Sequence, residues 1–192
     1  MCRNDGTDLG AVFDAHVAAE FKDQNVATTM ATMAPEPYLT HLPTVTGGTG
    51  RKEVEQFYRD HFVGHWPDDV EVKQISRTIG SNRVVDELIV SFTHEREMRV
   101  YLPGVAPTKR KVVLPHVVVM GFDEKGRVAY EHIYWDQATL LVQVGLLDPA
   151  LLPVSGTEQA ERLMDPSRPA NRMIERRAPR PKRGTERQNE TN

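Results

Sequence analysis

Residues 130–147 read YEHIYWDQATLLVQVGLL, and the spacing of their apolar positions changes at the midpoint. Up to Trp135 the residues alternate as in a strand, with Tyr130, His132, Tyr134 and Asp136 on one face and Glu131, Ile133 and Trp135 on the other. From Gln137 onward Leu140, Leu141 and Val144 follow helical spacing, and Gly145 provides the stop. Asp136 stands at the joint. A carboxylate there has two uses: it accepts hydrogen bonds from the free N–H groups of the first helical turn, or it faces a hollow and carries protons.

Working backwards from this joint, the period of two extends to residue 69. VEVKQISRTIG, RVVDELIVSFTHEREMRV, KRKVVLPHVVVMGF and GRVAYEHIYW read as four strands in succession, joined by GSN, LPGVAPT and DEKG. Short connections between consecutive strands predict an antiparallel, strongly curved meander. Helices precede it. LGAVFDAHVAAEF sets Leu9, Phe13, Val17 and Phe21 four apart with Val12 beside them. NVATTMATM repeats the pattern with Val26, Met30 and Met33, started by Asn25 and stopped by APEP. YLTHLPTV is a short strand leading into a turn, TGGTG. RKEVEQFYRDHF is a third helix, with Val54, Phe57, Tyr58 and Phe62 on one side and Thr49 as its cap. Helices first and strands afterwards give an α+β class, with a cone-shaped curved antiparallel sheet packed against the N-terminal helices.

A chain of 192 residues with 39% hydrophobic and 27% charged residues is one ordinary globular domain. Residues 9–150 form that domain; 1–8 read as a flexible start, 151–166 as an extension carrying the short helix TEQAERLM, and 167–192 as a disordered basic tail. The last 25 residues hold eight Lys/Arg against three Asp/Glu, so the net charge of −3 divides into +5 there and −8 elsewhere. An acidic body argues against nucleic-acid binding by the folded domain. Cys2 is the only cysteine, which excludes an intrachain disulfide and a cysteine-rich zinc site. There is no signal pattern and no membrane-spanning apolar run, so a cytoplasmic location is expected.

A curved sheet closed on one side by helices is a natural ligand hollow. DEKG fits a three-residue hairpin loop with Gly126 left-handed and Asp123 paired with Arg127, which sets Phe122 opposite Val128 and His116 opposite Tyr134. His116, His132 and Asp136 then share one face, His116 lying roughly 7 to 8 Å at the backbone from both others, while His132 and Asp136 are about 13 Å apart. A slip of one residue would send His116 to the opposite face. His41 joins the candidates from the first short strand, and Tyr58, Tyr134 and Trp66 supply aromatic walls. Of the adjacent Asp86 and Glu87 one faces inward, and Glu87 and His94 are candidates for opposite faces of their strand. His16, His61 and His65 read as helix-surface or helix-end residues. No spacing is a metal signature, and neither metal nor cofactor is expected.

Three stretches, in this order, resemble a known family. YLTHLP…TGGTGRKEVEQFY is similar to the early H-x-P…GR-x-x-x-x-F segment, LPGVAPTKRKV to the PG-x-PPTG-basic-x-V loop, and GRVAYEHIYWDQATLLVQVGLL to the last strand, acid and Q-x-G-L helix of SnoaL-like polyketide cyclases, members of the nuclear transport factor 2-like superfamily. The likeness covers roughly residues 9–150. It implies a cone-shaped α+β barrel, usually dimeric through the sheet, in which an aspartate matching Asp136 is the general acid/base of a cofactor-free aldol closure with histidines nearby; His41 matches the early family histidine. Lys109 stands where the family pattern has glycine, and residues 151–192 extend beyond the minimal domain.

The expected function is therefore a cofactor-free enzyme for a small apolar or aromatic carbonyl compound, with Asp136 moving the proton, His116 or His132 binding the enolate oxygen and Tyr58, Tyr134, Trp66, His41 and Glu87 around the substrate. Hydrolysis of an epoxide would need an Asp-Arg-Asp set inside the cone, which Arg99 and Arg110, near strand ends, do not supply. The alternative is a non-catalytic dimeric domain that binds a ligand or protein, with Asp136 only a cap. An outer apolar patch of Ile133, Trp135 and Val117 would favour a homodimer through the sheet.

Overall fold

The computed structural model describes residues 6–150 and 152–177. Helix α1 (Leu9–Phe21) starts at Asp8, whose carboxylate accepts from the Ala11 N–H at 3.1 Å, and α2 (Val26–Ala31) starts at Asn25, which accepts from the Thr28 N–H at 3.0 Å. Strand β1 (Met33–His41) begins earlier than the periodicity predicts and runs through Pro35 and Pro37. Prolines have no N–H to give, and the pairing of β1 is irregular across that stretch, between Met33 and Tyr38.

TGGT is not a turn but an edge strand, β2 (Thr46–Thr49), antiparallel to β1. Its Gly47 is required there, because a Cβ would run into the Leu39 carbonyl. Helix α3 (Arg51–Phe57) starts from Gly50 at φ 80°, one residue after the expected Thr49; the Glu53 carboxylate instead reaches back to the Thr49 N–H at 3.0 Å. α3 continues as a π-helical turn, Tyr58–Phe62. Four longer strands follow, β3 (Glu71–Ile79), β4 (Arg83–Thr93), β5 (Lys111–Phe122) and β6 (Val128–Trp135), and then α4 (Gln137–Gln143), α5 (Glu158–Met164) and α6 (Arg172–Arg177). α6 falls inside the segment expected to be disordered; residues 1–5, 151 and 178–192 lie outside the described residues. Among the described residues no helix is long and apolar enough to cross a membrane.

The sheet order is β2-β1-β6-β5-β4-β3, and β1 runs parallel to β6 while every other pair is antiparallel. The expected purely antiparallel sheet is thus a mixed one, and it is open, with β2 and β3 at its edges. The whole meander separates β1 from β6, so no hairpin dictates their relative direction. Beyond Trp135, where β6 ends, the Gln143 side chain takes over its role: its carboxamide accepts from the Val113 N–H at 2.7 Å and donates to the Val113 carbonyl at 3.0 Å. On the concave face α1 is clamped to the sheet by Arg77, which donates to both oxygens of buried Asp86 at 2.8 Å, to Asp14 at 2.7 Å, and lies over the Phe13 ring.

The predicted strand through THEREMRV stops at Thr93. Residues 94–110 instead form a loop that folds over the open end of the sheet and buries Met98, Val100, Tyr101 and Leu102. Its neck is closed by the His94 N–H to the Arg110 carbonyl and the Lys109 N–H to the His94 carbonyl, both at 2.9 Å. Lys109 has φ 60°, the left-handed conformation that glycine adopts without penalty.

The hairpin between β5 and β6 decides which side chains face inward. Its loop is as expected: Gly126 has φ 70°, the Asp123 N–H donates to the Arg127 carbonyl at 2.9 Å, and Phe122 pairs with Val128. The next pair, however, is Gly121 with Tyr130, so Ala129 is a bulge and all later pairs shift by one. His116 is opposite Trp135, not Tyr134, and Val118 is opposite Ile133. Gly121 makes room for the bulged strand: a Cβ there would overlap the Tyr130 ring. As a result Glu131, Ile133 and Trp135 face the helices with His116, whereas His132 and Tyr134 face outward with Val119 and Val117. The expected outer patch of Ile133, Trp135 and Val117 is corrected accordingly; Ile133 and Trp135 are buried, and the exposed apolar side chains outside are Tyr38, Val117 and Tyr134.

Gly121→Val should lower stability by about 1 to 3 kcal/mol by forcing the Tyr130 ring aside, read as a shifted urea midpoint. Lys109→Gly should raise stability by about 0.5 to 1 kcal/mol, the left-handed penalty less the extra chain entropy of glycine.

Candidate functional site

Asp136 is a helix cap. Its Oδ1 accepts from the N–H groups of Ala138 at 2.9 Å and Thr139 at 3.3 Å, and its Oδ2 from the Thr139 hydroxyl at 2.9 Å and the Gln159 carboxamide at 2.6 Å. Partial burial pushes its pKa up, but the bonds from Gln159, Thr139 and Ala138 prevail and hold the carboxyl below the usual range. All its contacts belong to α4 and α5, and it does not line the cavity beneath the sheet. His132 packs outside in tilted contact with the Tyr38 and Tyr130 rings, with Tyr134 beside it on the same face. Glu87 also points outward and accepts from the Ser76 hydroxyl; Asp86 is its inward neighbour. Of the eight residues expected around a substrate, His41 and His116 reach the cavity wall, and Tyr58 and Trp66 stand directly behind it. The Ala129 bulge is the reason His132 and His116 part company, and the cap geometry is the reason Asp136 stays out.

The cavity lies between α1, the π-helical turn and the concave face of β4, β5 and β6, with a volume of about 50 Å³. One water needs roughly 10 to 15 Å³ on the same measure, so the space takes a group of several heavy atoms. Its walls are largely apolar, with Phe21, Phe62, Leu88, Val90, Val118 and Ile133 among them. A wider groove of about 620 Å³ runs along α4 to α6, but none of its titratable side chains is buried.

At the α1 end two carboxyl groups, Glu20 and Glu131, line the cavity. His16 lies between them: its Nε2 is 3.2 Å from Glu20 Oε1 and 3.1 Å from Glu131 Oε1. Hydrogen-bond bookkeeping fixes its protonation. The Thr32 hydroxyl donates to the Thr29 carbonyl at 2.7 Å, so it accepts from His16 Nδ1 at 2.6 Å and Nδ1 carries a proton. The Tyr58 hydroxyl donates to Glu131 Oε1 at 2.8 Å, so at 3.1 Å from His16 Nε2 it offers a lone pair and Nε2 must donate. His16 is an imidazolium. Full burial lowers its pKa, yet Glu131 and Glu20 raise it to about 10.

The two carboxyls are driven apart. Burial pushes both up, but the His16 imidazolium and the Tyr58 hydroxyl bring Glu131 below its ordinary value, while for Glu20 burial, with Glu131 adding to it, prevails over His16 and keeps the carboxyl raised. Glu131 is thereby biased toward its ionised form and Glu20 toward its protonated form. His16 Nε2 and one oxygen from each glutamate lie within 4.8 Å of one another, the donor types a divalent cation uses. An ion would have to sit roughly 2 Å from Nε2 in the direction of its lone pair, where the Tyr58 hydroxyl already is.

On the opposite wall Tyr101, from the covering loop, donates to His116 Nε2 at 2.9 Å, because His116 Nδ1 donates to the Leu114 carbonyl at 2.9 Å. Burial lowers the pKa of both His116 and His41 to about 4, so both are neutral. Asp14, Arg77 and Asp86 form an Asp-Arg-Asp set that clamps α1 to the sheet, but none of the three lines the cavity.

No protein-family model matches the chain, nor does any curated protein. Solved structures do. A putative SnoaL-like polyketide cyclase from Jannaschia superposes with a TM-score of 0.58 at 14% identity, covering 75% of this chain and 99% of that one. An NTF2-like protein of unknown function from Burkholderia pseudomallei gives a TM-score of 0.55 at 21% identity, over 72% of this chain and 98% of that one. The chain has the nuclear transport factor 2-like fold. An epoxide hydrolase/cyclase-like enzyme of pyran-ring formation in salinomycin shares it, with a TM-score of 0.53, 12% identity and coverage of 69% and 94%. At these identities the likeness is one of fold, so residue roles rest on this chain's own geometry.

Sequence reasoning missed His16, Glu20 and Glu131. A signal existed for two of them: His16 and Glu20 sit three residues after Phe13 and Val17, inside the apolar stripe of α1 and one turn apart. Replacing the Asp136 cap by alanine should cost about 1 to 2 kcal/mol, and by asparagine less. Because its pKa is depressed in the folded state, that contribution is present above the ordinary carboxylate range and is lost as pH falls through it, which paired urea titrations at neutral and acid pH would read.

Proposed function

We propose that the cavity catalyses cofactor-free proton transfer on a small carbonyl compound, as in isomerisation or ring closure, with Glu131 as base and Glu20 as acid. The carrying observation is the pair of buried carboxyls flanking one imidazolium, with pKa values pushed in opposite directions. Such splitting assigns acid and base within a pair. Tyr58 and His16 both reach Glu131 through Oε1, and the carboxyl lines the cavity.

In this reading Glu131 takes a proton from the carbon next to the carbonyl while the Glu20 carboxylic acid donates to the carbonyl oxygen. Where the ketone carries a β,γ double bond, the dienol then returns its hydroxyl proton to Glu20 while Glu131 delivers its proton to the γ carbon, giving the conjugated isomer. For ring closure the enol carbon attacks a second carbonyl, whose oxygen receives the Glu131 proton. His16 and Tyr58 hold Glu131 ionised without touching the substrate. The chemistry is that implied by the family resemblance, with the base moved from Asp136, at the start of α4, to a residue five positions earlier within β6. That fold neighbours include a putative SnoaL-like polyketide cyclase and an epoxide hydrolase/cyclase-like enzyme supports the reaction class.

The test is exchange of α-protons of butan-2-one and cyclopentanone for deuterium in D2O, followed by proton NMR. Glu131→Gln should reduce the catalysed rate by about 10² to 10⁴-fold with an unchanged circular dichroism spectrum. The rate should fall at low pH as Glu131 is protonated, below the ordinary glutamate range, and at high pH as Glu20 ionises, above it. Wild-type protein that exchanges neither ketone faster than buffer, or a Glu131→Gln variant as fast as wild type, would overturn the reading.

A further inference from the structure

The cavity's hydrogen-bonding inventory is lopsided. Nearly every donor in or behind its wall is already spent within the protein: Tyr58 on Glu131, Tyr101 on His116, His116 on the Leu114 carbonyl, and His16 on Thr32 and Tyr58. His41 bonds the Thr46 backbone through its ring and is packed against Phe57, Phe62 and Trp135. The remaining group on the wall that can donate to a ligand is the Glu20 carboxyl, which lies against His16 and Tyr58.

Acceptors, by contrast, are in surplus. The Glu131 carboxyl lines the cavity, and the Tyr101 oxygen, having given its proton to His116, keeps lone pairs on the cavity wall. His41, 2% exposed and lining the cavity, has Nδ1 without any hydrogen-bond partner. A buried acceptor with no partner costs roughly 1 to 3 kcal/mol in the empty protein, and a ligand's donor recovers it. Among the described residues no lysine or arginine lines this cavity, and Glu131 is biased toward its anion there, so an anionic ligand meets no lysine or arginine counter-ion among them.

We infer that the substrate of this cavity is a small neutral hydroxy ketone, whose carbonyl meets Glu20 and whose hydroxyl donates to the unpaired acceptors of His41 and Tyr101. The inference rests on the proposed acid/base reading of the same site and narrows it. A simple ketone satisfies Glu20 but leaves the acceptors unpaired, whereas a keto acid brings a second negative charge beside Glu131.

The experiment is an NMR titration of the full chain with hydroxyacetone, its isostere butan-2-one, and pyruvate. Hydroxyacetone should bind about tenfold more tightly than butan-2-one, the gain of one hydrogen bond to a buried acceptor, and pyruvate more weakly than either. In His41→Phe and Tyr101→Phe, each checked for native melting behaviour, the preference for hydroxyacetone should shrink towards unity. Equal binding of the isosteres, tighter binding of pyruvate, or no binding of any of the three overturns the inference. The wild-type comparison alone decides if a variant fails to fold. Binding is read separately from deuterium exchange, so a hydroxyl preference without exchange would refute the acid/base reading alone, and exchange without the preference would refute only the hydroxy ketone.

Discussion

One extra residue in the last hairpin governs the interior of this protein. Ala129 bulges out opposite the Gly121–Phe122 step, and every side chain of β6 beyond it is thereby exchanged between the two faces. Without the bulge, Tyr130, His132 and Tyr134 would look inward and Glu131 would sit outside. With it, Glu131 enters the hollow under α1 and meets His16, and the aromatic side chains are displaced to the convex surface. The absence of a side chain at Gly121 is what leaves space for this arrangement.

The charged set that results is a poor device for stability alone. Burying ions costs several kcal/mol each, and an apolar set of similar shape would hold α1 to the sheet as well or better. The mechanical attachment of α1 is in any case supplied elsewhere, by Arg77 with Asp86 and Asp14. What the imidazolium adds is a bias on its neighbours: in the same low-polarity space Glu131 is brought below its ordinary pKa while Glu20, where burial prevails, stays above it. The π-helical turn contributes by bringing the Tyr58 hydroxyl between His16 and Glu131.

Much of the architecture was legible in the sequence because periodicity reports burial directly. The four-strand meander, the helices α1 and α3, the DEKG loop with left-handed Gly126 and the Gly145 stop followed from spacing and turn chemistry. The parallel pairing of β1 with β6 was not legible, since two strands separated by about ninety residues leave no local trace of their direction. The bulge was equally silent, because Ala129 fits a regular strand as well as an irregular one. That single silent residue carried the site with it: a correct hairpin loop, extended without the bulge, placed His132 and Asp136 inside and left Glu131 out. Asp136 itself carried both meanings in its sequence, and local hydrogen bonding to Ala138 and Thr139 settled on the cap.

The parallel contact of β1 with β6 also orders events during synthesis. When the ribosome has made α1, α2 and β1, the partner strand of β1 on its inner side is still unmade, and it is completed only at Trp135. Until then that edge of β1 has no partner and His16 has no Glu131 beside it. The raised proton affinity of His16 therefore depends on a residue of the last strand to be made.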